Sequence, residues 1–389
     1  MIPYGRQHIG DEEVAAVLEA LKSNHITQGP RVPEFEVALA QKVNVRHALA
    51  VNSATSALHI ACLALGLSEG GLLWTSPNSF VASPNVARLC GANVDFVDIN
   101  PDTFNMCPLE LERKLILAQS EGQLPDIVMP VHFGGESCNM KRIAALGKKY
   151  GFKIIEDASH AVGAKYAGIP VGSCRYSDAT VYSFHPVKII TTAEGGMVFT
   201  NNDELATKMN LFRSHGVTRD KSLMTHASDG PWYYQQVELG LNYRLTELQA
   251  ALGIEQLKRL DEFLAKRHKI AGVYDSAFSD SPFRAQERLK DNYSALHLYI
   301  IRLDDTYSKA DRAVLFKYMR DAGIGVNVLY IPIHTQPYYA AQGFQSGDCP
   351  NSVDYYERCL ALPMYPDLTT EQQLYVIETL QNGVLSLRT

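Results

Sequence analysis

The sequence predicts an α/β fold in which a mostly parallel central sheet, covered by helices on both faces, is followed by a smaller C-terminal α/β domain. Short apolar runs alternate with amphipathic ones through the first half of the chain, the pattern of strands joined by crossover helices. The chain has 389 residues, of which 46% are apolar and 20% charged, enough to fill one large core or two moderate ones. No internal repeat interrupts it, so solenoids are set aside.

Taken in order, HALAVNS (47 to 53) reads as a strand and leads into the helical TSALHIACLALG; LLWTSP leads into FVASPNVARLCG, and VDFVDI into PLELERKLILA. DIVMPVHF then precedes MKRIAALGKKYG and KIIEDA. From 178 the pattern changes. DATVYSF and GMVFTNN leave no room for a crossover helix, which predicts a late antiparallel strand. The run LTELQAALGIEQLKRLDEFLAKRHKIAGVYDSAF keeps apolar residues at spacings of three and four and predicts one long helical stretch. The domain boundary is placed on it, giving a large domain over 1–250 and a small one over 251–389. HLYIIRL, RAVLFKYMRDAG and GVNVLYIPIH supply the elements of the second.

Charge and composition exclude several classes. The net charge is −6, with no run of Lys and Arg to neutralise a phosphate backbone, so nucleic acid is a poor partner. The opening MIPYGRQHIGDEEV lacks the apolar centre of a signal peptide, and LHIACLALGL is too short to span a bilayer, so the expectation is a cytoplasmic protein with no membrane partner. The seven cysteines stand singly, with no CxxC pair, which fits a reducing compartment and no zinc site.

Three blocks carry chemistry. In NSATSALHIA a strand ends at Asn52 and Ser53 and a helix opens on small residues, so free amides and the helix dipole could seat a phosphate; an ordinary Ser or Thr cap is the commoner reading of these residues alone. In KIIEDASHAVGA a strand delivers Glu156 and Asp157 to its carboxyl end, where a carboxylate could hold a pyridine nitrogen protonated, or the two acids could cap a helix or bind metal. In YSFHPVKIITTAEGGMV a lone Lys188 lies between a strand carrying Ser183 and a Gly-rich turn. A desolvated lysine loses its proton and can form a Schiff base; a solvated surface lysine is the common alternative, but Val187, Ile189 and Ile190 flank this one.

These blocks in this order, together with FRSHG, LNYRLTELQAALG and an opening helix that ends in ITQG, resemble the DegT/DnrJ/EryC1/StrS family of sugar aminotransferases over essentially the whole chain. Within the family the likeness is greatest to the pseudaminic acid branch. The resemblance implies the pyridoxal-phosphate-dependent transferase fold of the aspartate aminotransferase class (fold type I) and a homodimer with shared active sites. It implies pyridoxal 5'-phosphate as cofactor, L-glutamate as amino donor and a UDP-linked 4-keto-6-deoxy-N-acetylhexosamine as acceptor, aminated at C4. No metal is implied.

Residue by residue, the resemblance makes Lys188 the lysine that bonds the cofactor and Asp157 the partner of its pyridine nitrogen. Ser183 and the turn Ala54, Thr55 and Ser56 would bind its phosphate, with Asn242 reaching in from the neighbouring subunit. Phe80 falls where the family keeps an aromatic over the ring, although a core-facing helix residue is the commoner reading of such a position. His160 stands where the family more often has Gln, near the ring oxygen. Tyr4, the segment Asn24, His25, Ile26 and Thr27, and Tyr330 would contact the sugar nucleotide. His132 and His185 are assigned no role, since a lone histidine at a strand end is more often structural. Four rival readings remain: amination of another nucleotide-linked 4-keto sugar, such as a UDP-4-keto pentose or a dTDP-4-keto-6-deoxyhexose; dehydration at C3, a family branch in which histidine replaces the lysine; a regulator that binds the cofactor without turnover; and an unrelated α/β binder of sugar nucleotides.

Overall fold

The computed structural model describes residues 1–387. Its central sheet has seven strands in the order His47–Val51, Gly196–Thr200, Ala179–Ser183, Lys153–Asp157, Ile127–Met129, Leu72–Thr75 and Asn93–Phe96. Gly196–Thr200 is antiparallel to both of its neighbours, and the other pairings are parallel. The reversal has the expected cause: residues 184–195, which join Ser183 to Gly196, hold no helix that could carry the chain back across the sheet.

Both faces of this sheet are buried, and strand alternation sorts the side chains between them. Leu49, Val51, Val181 and Val198 pack on one side with the helices Ala54–Ala64 and Ala82–Leu89. Ala50, Tyr182, Met197 and Phe199 pack on the other, with the helices Arg31–Val43 and Glu247–Lys258. Apolar runs without polar alternation are what such a doubly covered sheet requires.

A second core is built on the antiparallel strands Phe283–Ala285, Tyr299–Leu303 and Cys359–Leu362 and the helices Lys309–Asp321 and Thr370–Ser386. The N-terminus joins it: Ile2 packs there, and its amide donates to Gly323 O at 2.9 Å. In the other direction Ile333, Tyr339 and Cys349 return to the core of the large sheet.

The expected single helical stretch from 245 to 278 is corrected to two helices, Glu247–Lys258 and Leu260–Ala277, interrupted at Arg259 (φ −97°, ψ −1°). No Gly or Pro marks the break. The second helix puts Leu260, Phe263 and Leu264 into the first core and Ile270, Ala271 and Tyr274 into the second, so its direction is set by the demands of two cores. GVNVLYIPIH forms no strand; its extended backbone makes an isolated bridge from Asn327 to Ala361 and then carries Tyr330 into the cleft described below. Among the described residues no helix is long and apolar enough to cross a membrane.

The parallel strands end together, and Gly196 lies among their ends, paired to Val51 on one side and Ser183 on the other. A Cβ at Gly196 would meet the Ala54 amide nitrogen at 2.6 Å and the Ser53 carbonyl at 2.7 Å, both backbone atoms that cannot swing aside. Gly196→Ala is therefore expected to destabilise the protein by about 1–3 kcal/mol, as overpacking does. A denaturant midpoint identical to that of the unsubstituted chain would show that the turn after Val51 yields freely.

Candidate active site

A cleft of about 840 Å³ opens at the carboxyl ends of the parallel strands, where open α/β sheets place ligands. Its walls bring together Tyr4, Ala54, Thr55, Ser56, Phe80, Asp157, His160, Ser183, Lys188 and Tyr330 from segments far apart in sequence.

One wall is the turn from the strand His47–Val51 into the helix Ala54–Ala64. Ser53 caps the helix by accepting from the Ser56 amide at 3.1 Å, and the Ser56 hydroxyl donates to Asn52 Oδ1 at 2.6 Å. The turn is thus both an ordinary cap and something more: among the described residues the Ala54 and Thr55 amides find no protein acceptor, and they face a cleft also lined by buried Ser183. Free N–H groups at a helix N-terminus with a hydroxyl beside them suit a phosphate.

The adjacent acids Glu156 and Asp157 separate because successive strand residues point to opposite faces. Glu156 points away, into a buried cluster where it accepts from His132 Nε2 (2.8 Å), Ser177 (2.5 Å) and Thr180 (3.1 Å). His132 Nδ1 in turn accepts from the Cys138 amide at 3.1 Å, so this histidine holds the loop after Ile127–Met129 and has no access to the cleft. Asp157 lines the cleft, buried, with Oδ2 accepting from Ser83 at 2.7 Å and Oδ1 from the Ser159 amide at 3.1 Å. Those two donors fix the carboxylate plane.

Lys188 sits in the turn after Ala179–Ser183, its amide bonded to His185 O at 2.9 Å, and its side chain enters the same cleft. Burial pushes its amine down to about 8, against the attraction of the Asp157 carboxylate, which favours the charged form. A lysine in that range can act as a nucleophile. His160 is uncharged, because burial and the nearby Lys188 hold its pKa well below the usual histidine range. Its Nδ1 accepts from the Gly134 amide at 3.3 Å, which places the proton on Nε2, 3.3 Å from the Tyr330 hydroxyl. Phe80 does not take the core-facing helix position that is the commoner reading: it lines the cleft, 60% exposed, in the turn before Ala82–Leu89, with its ring centroid 6.3 Å from that of Tyr330.

Other residues expected at the site lie elsewhere. The helix Asp11–Lys22 ends before Asn24, His25, Ile26 and Thr27, which are exposed in the turn beyond it and do not line the cleft. Asn242 is likewise exposed, bridged to Ser214. Conversely, Ser83, which orients Asp157, and His297, whose ring centroid is 4.5 Å from that of His160, carry no motif. Ser83 is itself held by a hydrogen bond between its hydroxyl and that of Ser79 at 2.9 Å.

A neutral-leaning lysine, a fixed carboxylate and a phosphate seat on one cleft of this fold define a pyridoxal-phosphate-dependent sugar aminotransferase, and the residues present fit that cofactor. The chain belongs to the DegT/DnrJ/EryC1/StrS aminotransferase family, whose model matches residues 7–381. It is 38% identical over 386 residues to the spore coat polysaccharide biosynthesis protein SpsC of Bacillus subtilis (98% of this chain, 97% of the relative). It is 39% identical over 382 residues to a UDP-4-amino-4,6-dideoxy-N-acetyl-beta-L-altrosamine transaminase of Campylobacter jejuni (98% and 96%). The fold matches Helicobacter pylori PseC, an aminotransferase involved in the biosynthesis of pseudoaminic acid, with a TM-score of 0.90, 32% identity and 99% of both chains covered. A Streptococcus pneumoniae neighbour solved in a PLP form gives a TM-score of 0.90 at 28% identity over the whole of both chains.

In cofactor-free protein the Lys188 amine is expected to titrate near 8, as followed by pH-dependent labelling and peptide mass spectrometry. Asp157→Asn should lower that midpoint further, because it removes the one attraction that favours the ammonium. Labelling at the midpoint of an ordinary exposed lysine would mean that the side chain is solvated.

Proposed function

We propose that this enzyme transfers the amino group of L-glutamate to C4 of a UDP-linked 4-keto-6-deoxy-N-acetylhexosamine, forming UDP-4-amino-4,6-dideoxy-N-acetyl-beta-L-altrosamine in a pseudaminic acid route. The observation that carries the transaminase reading is the Lys188 amine and the Asp157 carboxylate facing one cleft. The acceptor is supported by the names of the Campylobacter jejuni relative and of PseC. A second reading, amination of another nucleotide-linked 4-keto sugar, is supported by SpsC, which is named for a different polysaccharide at nearly the same identity. The lysine at 188 speaks against the histidine-bearing dehydratase branch.

In this reading pyridoxal phosphate, when bound, supplies an electron sink that stabilises negative charge on the carbon next to the reacting nitrogen. Lys188 Nζ is the amine that holds it. Held within reach of a bound donor, the same Nζ would serve as the base that moves the donor's Cα proton. Asp157, oriented by Ser83 and the Ser159 amide, would keep a proton on the pyridine nitrogen. Ser183 and the Ala54, Thr55 and Ser56 turn bind the phosphate. His160 would offer Nε2–H to the cofactor, and Phe80 would pack against its ring. Tyr4 and Tyr330 would orient the sugar nucleotide, and the Asn24, His25, Ile26 and Thr27 segment, which lies outside the cleft of its own chain, would contact it only from the neighbouring protomer of a homodimer. We further propose a homodimer in which Asn242, exposed in a single chain, reaches the partner's cofactor phosphate. A cytoplasmic location is supported by seven cysteines that all remain thiols.

The direct test is spectroscopic. Glutamate should bleach the visible band of the holoenzyme, and a UDP-linked 2-acetamido-4-keto-6-deoxy sugar should restore it; restoration by a UDP-4-keto pentose alone would overturn the assigned acceptor. Lys188→Ala should show no net transamination. Asp157→Asn should retain cofactor but turn over more slowly by on the order of 10²-fold or more, the scale of losing one preorganised electrostatic partner. Unchanged turnover in the latter would remove Asp157 from its role.

A further inference from the structure

A smaller cavity, of about 240 Å³, lies beside the phosphate-seating turn. It forms where the exposed segment Thr27, Gln28 and Gly29 passes the end of the helix Asp203–Arg213 and the stretch holding Arg244 and Leu245. That stretch runs antiparallel to the end of the strand His47–Val51: Val51 bridges Arg244, and the Asn52 amide donates to Tyr243 O at 2.8 Å. Arg244 is therefore aligned with the last strand residue before Asn52, which itself lines the cleft.

Two arginines line the cavity, and their situations differ. Arg213 is compensated: Nη1 donates to Glu36 Oε1 at 2.5 Å and to Ala50 O at 2.9 Å, and Nε donates to Asn210 Oδ1 at 3.0 Å. Glu36, the carboxylate on the cavity wall, is paired with Arg213 through Oε1, which also accepts from the Ala50 amide at 2.8 Å. Arg244 has no equivalent. Its Nε is buried and meets no acceptor among the described residues. A buried guanidinium N–H without an oxygen is unfavourable, and native structures seldom leave one so unless a ligand completes the site.

We propose that Arg244 is the centre of an oxyanion-binding subsite that takes a carboxylate or phosphate group of one of the two substrates. The guanidinium fork matches two oxygens of either group, and Ser214, Asn210 and Gln28 add neutral hydrogen-bonding side chains on the same wall. With Glu36 committed to Arg213, the wall keeps one uncompensated positive charge. The cavity is large enough for the carboxylate end of an amino donor or for a phosphate group, and too small for a whole nucleotide sugar. The inference rests on the transaminase reading for the identity of the anion, though not for the existence of the subsite.

The test uses the holoenzyme and the variants Arg244→Gln and Arg244→Lys, with binding of 2-oxoglutarate and of UDP measured separately by calorimetry. Arg244→Gln is expected to weaken one of the two by about 10- to 100-fold, the loss typical of a charge-assisted pair, and Arg244→Lys to recover part of it. Loss in the 2-oxoglutarate arm identifies the amino donor's carboxylate as the ligand; loss in the UDP arm identifies the nucleotide's phosphate. Unchanged affinity in both arms, equal loss in both, or weakened subunit association with both affinities intact would each overturn the subsite. Because Arg244→Lys keeps the charge, it gives a second reading should the Gln variant fail to fold. Bleaching of the unsubstituted enzyme by glutamate reports separately on the transaminase reading: a bleaching enzyme with no Arg244 effect loses only the subsite, whereas a non-bleaching one loses the reaction.

Discussion

Lys188 is held between two opposed effects, and the cleft is organised around their balance. Burial favours the neutral amine, while the Asp157 carboxylate, acting through space, favours the ammonium; burial prevails and pushes the amine down to about 8. The outcome depends on Asp157 being engaged elsewhere. Ser83 and the Ser159 amide occupy its oxygens, so the carboxylate stays in place rather than following the lysine. Both groups are delivered by the ends of neighbouring parallel strands, and the antiparallel Gly196–Thr200 strand brings the phosphate-seating turn against them through a residue with no side chain.

The wall opposite the sheet is held by the seam between the two cores. Gly134 and Gly135, both at positive φ, let the loop after Ile127–Met129 approach residues 295–298 so closely that a Cβ on Gly135 would meet the Leu296 amide at 2.7 Å. The Ala295 and Leu298 amides donate to Gly135 O and Gly134 O, and Gln286 donates to Phe133 O. The same loop presents the Gly134 amide to His160, fixing which ring nitrogen carries the proton. The packing that joins the two cores therefore also sets the hydrogen-bonding character of a residue in the cleft.

Much of the fold was legible in advance. The alternation of apolar strands and amphipathic helices identified the parallel sheet, and the missing crossover before GMVFTNN identified its reversed strand, because both follow from local periodicity and chain length. The three chemical blocks were legible for the same reason: each is a short run in which a strand end and a turn are contiguous. The break at Arg259 was not, since the flanking sequence keeps helical spacing and no residue there resists a helix; two cores in different places impose it. Nor did the segment from Asn24 to Thr27 reach the cleft of its own chain.

From sequence alone came the class of fold and the order of most of its elements, since spacing along the chain encodes them, and, through the family resemblance, the selection of Lys188, Asp157, Ser183 and the small-residue turn as a candidate set. Tertiary structure decided the rest: that Glu156 turns into a separate buried cluster, that Ser83 holds Asp157 while His297 packs on His160, and that Arg213 is compensated while Arg244 is not. The reason is common to all of these. Burial, charge compensation and hydrogen-bond satisfaction are properties of neighbours in space, and those neighbours are separated along the chain by dozens to hundreds of residues.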